Sequence, residues 1–133
     1  NTLWKIAVGL QVALGDLLET HEQPIEIVRK KSKAPLIDNE DGLRLWPIFS
    51  NSPSPVGIFL AELDSMHTHS SAPHDAHSTE YVFVIEGSLV VTINDRPSHL
   101  SQGDTLCFQA DQPHHYHNPS ANTCCFQCIF YRK

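Results

Sequence analysis

The chain has 133 residues, nine of them histidine, and a formal net charge of −6. That length suits one domain with a short appendage and a real hydrophobic core. The acidic balance makes this chain by itself a poor binder of duplex DNA, which rewards phosphate neutralisation, and no window approaches the roughly 20 apolar residues of a membrane span. Asn1 opens in mid-pattern, with no initiator Met and no signal-like start. The chain is therefore expected to be the C-terminal part of something longer. Thr2 to Leu18 reads as helix, with Thr2 as N-cap and Leu3, Ile6, Ala7 and Leu10 at helical spacing. A second short helix could follow, with Val12, Leu14, Leu17 and Leu18 apolar and Gly15 its weak point. Helices this short cannot bury their faces alone.

From Gln23 the pattern becomes strand and turn. Residues 25–30 alternate with period 2 and lead into the turn-like KKSKAP. Leu43 to Phe49 is a strand candidate whose Pro47 points to an edge or a bulge. SNSPSP is a loop, and Val56 to Leu63 a strand. Glu80–Glu86 and Leu89–Ile93 flank Gly87 as an expected hairpin. Thr105–Phe108 and Cys124–Tyr131 complete the set. Short strands at such intervals suggest an antiparallel sandwich or barrel. On strand 80–86, Glu80, Val82 and Val84 share one face, and Tyr81, Phe83 and Ile85 the other. Both faces are largely apolar, so a second cover is expected, either an appended segment or a second subunit. Of the four cysteines, Cys107, Cys124, Cys125 and Cys128, the last three fall in one apolar run and read as reduced residues of a buried strand; the lone CxxC spacing of Cys125 and Cys128 has no second pair to make a metal knuckle.

Eight of the nine histidines fall between residues 67 and 117, and all of these but His99 form two groups. One group runs His67, His69, His74, His77 and on to Glu80; the other is His114, His115 and His117. Imidazoles and a carboxylate from distant parts of one chain are what a divalent metal site requires. In an extended second group, His114, Tyr116 and Asn118 share a face, and His115 and His117 point away.

These residues resemble the cupin family, whose first motif is G-x5-H-x-H-x(3,4)-E-x6-G. His74, Glu80 and Gly87 fit it; Thr68 stands for the opening Gly and Ala76 for the second His. The second motif, G-x5-P-x-G-x2-H-x3-N, is matched at Gly103, His114 and Asn118, with Gln109 and Asp111 as departures. The resemblance covers roughly residues 25–133. It implies a mainly β fold, a cupin double-stranded β-helix (jelly-roll barrel) preceded by two short helices. It also implies a metal held by His74, Glu80 and His114, with His77 a candidate replacement for the ligand missing at Ala76. The donor set suits zinc best, with nickel, iron or manganese also compatible. His67 and His69 are expected at the surface or behind the ligands. Val82, Phe108 and Tyr116 are candidates for lining an effector site.

The opening NTLWKIAVGLQVALGDLLE resembles the last two helices of an Xre-like (lambda-repressor-like) helix-turn-helix domain, through Thr2, Leu3, Lys5, Ile6, Ala7, Leu10, Val12, Leu14, Leu17 and Leu18. The resemblance divides the chain into residues 1–21, the end of a DNA-binding domain, and residues 22–133, a cupin effector domain. It implies a cytoplasmic, homodimeric transcriptional regulator rather than an enzyme. The DNA-contacting residues would lie upstream, with none in this chain, and the barrel would bind a small amino acid or organic acid, a sulfur compound being one candidate. A small metal-dependent cupin enzyme, a dioxygenase or isomerase, is the competing reading.

Overall fold

The computed structural model describes residues 5–6, 25–50 and 54–132. Ten strands follow a 3-10 turn at Lys30–Ser32. They are β1 (Leu36–Asp38), β2 (Leu43–Phe49), β3 (Val56–Leu63), β4 (Thr68–Ser71), β5 (Ser78–Glu86), β6 (Ser88–Ile93), β7 (Arg96–Ser101), β8 (Thr105–Gln109), β9 (His114–His117) and β10 (Cys124–Arg132). They form one sheet in the order β1-β2-β3-β10-β5-β8 and a second in the order β4-β9-β6-β7. Every ladder is antiparallel. Two sheets facing one another around an apolar interior make the jelly-roll barrel that the sequence suggests. The two helices expected within residues 1–21 lie outside the described residues, apart from Lys5 and Ile6, which are helical. No helix among the described residues is long and apolar enough to cross a membrane.

Strand alternation builds the interior. Val82 and Val84 of β5, Phe126 and Cys128 of β10, Ala61 and Leu63 of β3, and Leu89 and Val91 of β6 are buried in one cluster. Their register sets Val82 beside Cys128 and Val84 beside Phe126. A fully buried valine or leucine contributes roughly 1.5–3 kcal/mol relative to the exposed side chain.

Two expectations change, and that for Pro47 holds. Gly87 does not close a hairpin: β5 pairs β10 and β8, whereas β6 pairs β7 and β9. Gly87 is the corner where the chain leaves one sheet for the other, at φ +96, and a Cβ there would meet Cys124 Cα at 3.2 Å. Residues 25–29 form no strand, and Ile25 and Ile27 are 93% and 69% exposed. Alternation without a ladder partner is not enough. Pro47 is both near an edge and at a bulge: β1 pairs β2 only as far as Leu45, and the β2–β3 register shifts between Pro47 and Phe49.

The outer face of the six-stranded sheet is covered in part. Lys30 Nζ lies 4.3 Å from the centroid of the Trp46 ring and 2.6 Å from Glu62 Oε2. Arg44 joins Glu62 at 3.3 Å and Asp64 at 2.9 Å. Tyr81, Phe83, Ile85 and Tyr131 remain exposed on that face.

Candidate metal centre

Three side chains from three elements converge at one end of the interior. Glu80 points inward from β5 because it alternates in phase with Val82 and Val84, and it is fully buried. His114 opens β9 directly after Pro113, and its side chain has no exposure. His74 sits between β4 and β5, anchored by its backbone N–H donating to the Ala110 carbonyl at 2.8 Å. The ligand atoms of His74, Glu80 and His114 all lie within 4.8 Å of one another. His114 Nε2 is 3.5 Å from Glu80 Oε2 and His74 Nε2 is 3.9 Å from it. The two imidazoles stack at 5.4 Å and 20°.

The hydrogen bonds around this group orient it. His114 Nδ1 lies 2.8 Å from the Gln112 carbonyl. A carbonyl only accepts, so Nδ1 carries the proton, and in the neutral ring Nε2 presents its lone pair inward. The Tyr116 hydroxyl donates to Glu80 Oε1, leaving Oε2 to face the imidazoles. Glu80 Oε2 and His114 Nε2 are buried and have no hydrogen-bond partner among the described residues. Each such orphan costs about 1–3 kcal/mol. A divalent cation between them would satisfy both at once, and two imidazoles with one carboxyl suit zinc-like ions. The donor set therefore fits a metal.

Local electrostatics differ across the group. Burial lowers the pKa of His74, outweighing the pull of Glu80. Burial would also lower that of His114, but the Glu80 carboxyl and the Gln112 carbonyl reverse the sign and raise it. Burial, reinforced by Cys128 and Glu80, holds the Tyr116 phenol well above its ordinary value. The Cys128 thiol is likewise pushed up, by burial first and by Glu80 second.

Other expected residues fall elsewhere. His77 does not join the group. It occupies the turn before β5 at φ 65 and is exposed, so the position after Ala76 supplies no fourth imidazole. Val82 and Phe108 are core residues and line neither of the cavities described below. Phe108 instead packs edge-on against His114 at 5.0 Å. Tyr116 does line the inner cavity. The β9 alternation holds: His114, Tyr116 and Asn118 are buried, whereas His115 and His117 are only partly so. His67 is exposed, as expected, but His69 is half-buried and faces the interior cavity. Cys128 also lines that cavity. His69 stands outside the family motif spacing and Cys128 has only the lone CxxC spacing, so strand phase is what places both beside the cavity.

Two cavities adjoin the group. An outer one of about 690 Å³ opens among Pro55, Phe59, Pro73, His74, Phe130 and Arg132. An inner one of about 130 Å³ penetrates the barrel beside Leu43, Leu45, Ala61 and Phe126. His74 and Phe130 border both.

A jelly-roll barrel with an imidazole–carboxyl group inside one end is the architecture of a cupin, and residues 60–130 match the cupin domain family. The chain belongs to that family. Among curated proteins it is similar to the HTH-type transcriptional regulator SutR of Escherichia coli K12, at 25% identity over 131 residues, covering 98% of this chain and 70% of that one. Among solved structures it is similar to the cupin domain of an XRE family transcriptional regulator from Enterobacter cloacae. That match has 26% identity and a TM-score of 0.66, covering 69% of this chain and 98% of the other. An HTH_3 family transcriptional regulator from Vibrio cholerae matches at 28% identity and TM-score 0.65, covering 71% of this chain and 54% of that one. The chain thus spans about half the length of the Vibrio protein. Cupin structures at 20% identity or lower include enzymes, and these show the fold alone.

Proposed function

We propose that this chain is the sensing part of a ligand-responsive transcriptional regulator, with zinc or a similar divalent ion held by His74, Glu80 and His114. The observation that carries the site is the pair of buried, unpartnered atoms Glu80 Oε2 and His114 Nε2 facing His74. The regulator reading is supported by the similarity to SutR, which extends along nearly the whole chain. Residues 1–21 would end a helix-turn-helix domain whose DNA-contacting helix precedes this chain, and residues 22–133 would form the effector domain. The cell compartment would be the cytoplasm.

Three protein donors leave a tetrahedral ion one open position, which a donor atom of the effector can take. The effector would be a small amino acid or organic acid, with sulfur amino acids first to be tested. Tyr116 would hold Glu80 in place for this binding. For the signal to reach DNA, the effector must prefer one of two arrangements of a dimer. The exposed face carrying Tyr81, Phe83, Ile85 and Tyr131 suits a second copy.

The test is metal analysis of protein purified without chelator or affinity tag, together with mass spectrometry of any retained small molecule. One equivalent of metal in the parent chain and its loss in His114→Ala are expected; a metal-free parent chain that takes up no added zinc overturns the site. The competing reading, a metal-dependent enzyme, draws on the buried Tyr116–Glu80 pair as an acid–base group. Turnover of a bound candidate effector by the metal-loaded chain would favour it over a pure sensor.

A further inference from the structure

The inner cavity contains a second polar anchor that the metal centre does not use. His69 on β4 pairs with Tyr116 on β9, and their rings stack at 6.4 Å and 18°. His69 therefore faces the interior, where it lines the same cavity as His74. Its Nδ1 lies 2.9 Å from Oδ2 of Asp41, in the turn between β1 and β2. An ionised carboxyl group accepts and cannot donate, so the proton of this bond sits on Nδ1. The neutral ring then offers Nε2 as a lone pair, and Nε2 has no hydrogen-bond partner among the described residues. A carboxylate behind an imidazole also fixes ring orientation.

The remaining walls supply little competition. Leu43, Leu45, Ala61 and Phe126 are apolar, the Tyr116 hydroxyl is already engaged by Glu80, and the Ser71 hydroxyl donates to the Ala72 carbonyl at 3.3 Å. The cavity is small, about 130 Å³. A molecule held there would be small, with a short apolar body, and would meet a fixed acceptor at His69.

We propose that His69, oriented by Asp41, is the second anchor of the effector site and accepts a hydrogen bond from an ammonium or hydroxyl group. The effector is then a short two-ended molecule, with an acidic group at the metal and an amino or hydroxyl group at His69. This rests on the metal-dependent effector reading above. It excludes simple fatty acids, which lack the donor, and diacids, whose second carboxylate would face a lone pair.

The zinc-loaded chain is titrated calorimetrically with glycine, β-alanine and γ-aminobutyrate, each beside the acid lacking its amino group and the diacid of equal backbone length. At the length that spans the two anchors, the amino acid is expected to bind about tenfold more tightly than its des-amino partner, the scale of one charge-assisted hydrogen bond. His69→Phe should erase that advantage without abolishing zinc binding, and His69→Gln, which retains an acceptor, should restore part of it. Equal binding of amino and des-amino acids, tighter binding of a diacid, binding by no member of the series, or an advantage that survives both variants overturns the second anchor while leaving the metal site standing. Failure of the parent chain to bind zinc overturns both.

Discussion

Glu80 holds the candidate centre together because its two oxygens do different jobs. Oε1 takes the Tyr116 hydroxyl and Oε2 faces the imidazoles. Tyr116→Phe deletes the donor and leaves a buried acceptor unpaired, which should lower stability by about 1–3 kcal/mol, measured by denaturant unfolding of metal-free protein. Glu80→Gln keeps the shape and removes the charge; it should lose zinc while retaining the fold, checked by metal content and circular dichroism. The two histidines titrate in opposite directions. In the metal-free protein the stabilising effect of His74, whose pKa is lowered, is complete above the ordinary value of about 6.5 and is lost as pH falls through and below it. That of His114, whose pKa is raised, is complete below about 6.5 and is lost as pH rises through the raised value. Zinc needs both rings neutral, so binding below the raised value of His114 should release a proton from that ring, and affinity should fall as pH drops through it. Calorimetry in buffers of different ionisation enthalpy would reveal the proton; affinity independent of pH across the histidine range would contradict this.

Much of the site was legible at this scale because two spacings, His74 to Glu80 and Gly103 to His114, carry the family pattern. The replacement at Ala76 was not. His77 is near enough in sequence to suggest a substitute, but a positive φ in a turn aims it at solvent, and one-dimensional spacing does not encode that direction.

At the scale of elements, the sequence announces strands where apolar residues alternate, as in β3, β5 and β10. It hides those that carry no such pattern. β4 reads THSS and β7 reads RPSHLS; both are polar and short, and they exist because β9 and β6 offer them ladders. The Gly87 corner was missed for a related reason, since a glycine between two apolar runs looks the same whether the chain folds back or crosses to another sheet. Gly87→Ala distinguishes the corner. It forces a positive φ on a side chain and crowds Cys124, for a cost of about 1–3 kcal/mol read from chemical denaturation. Asn118 ties together the loop before β10: its amide donates to the Leu63 carbonyl at 2.9 Å and the Asn122 carbonyl at 2.7 Å, and its oxygen accepts from the Ser120 N–H at 3.0 Å. Asn118→Ala should destabilise by about 2–3 kcal/mol, with the loop 119–123 losing amide protection first.

For the whole molecule, the sheet with two apolar faces sets the main expectation. Its inner face is sealed, but Tyr81, Phe83, Ile85 and Tyr131 are 37–42% exposed on the outer one. Phe83→Glu puts a charge in the middle of that face. If a second copy covers it, sedimentation should shift from dimer to monomer with the metal content unchanged. A parent chain that sediments as monomer at all accessible concentrations contradicts the dimer.

The alternation of β10 also divides the thiols between two environments. Cys124 and Cys128 are buried, Cys125 between them is only partly so, and Cys107 is exposed on β8. Burial pushes Cys124 up to about 11 and raises Cys128 as well, so neither carries much thiolate near neutral pH. An alkylating reagent should therefore take Cys107 at once and the inner pair only when the sheets part. The rate at which the inner pair is consumed is then a clock for opening of the barrel. A divalent ion held by Glu80 of β5 and His114 of β9, as proposed above, would slow that clock.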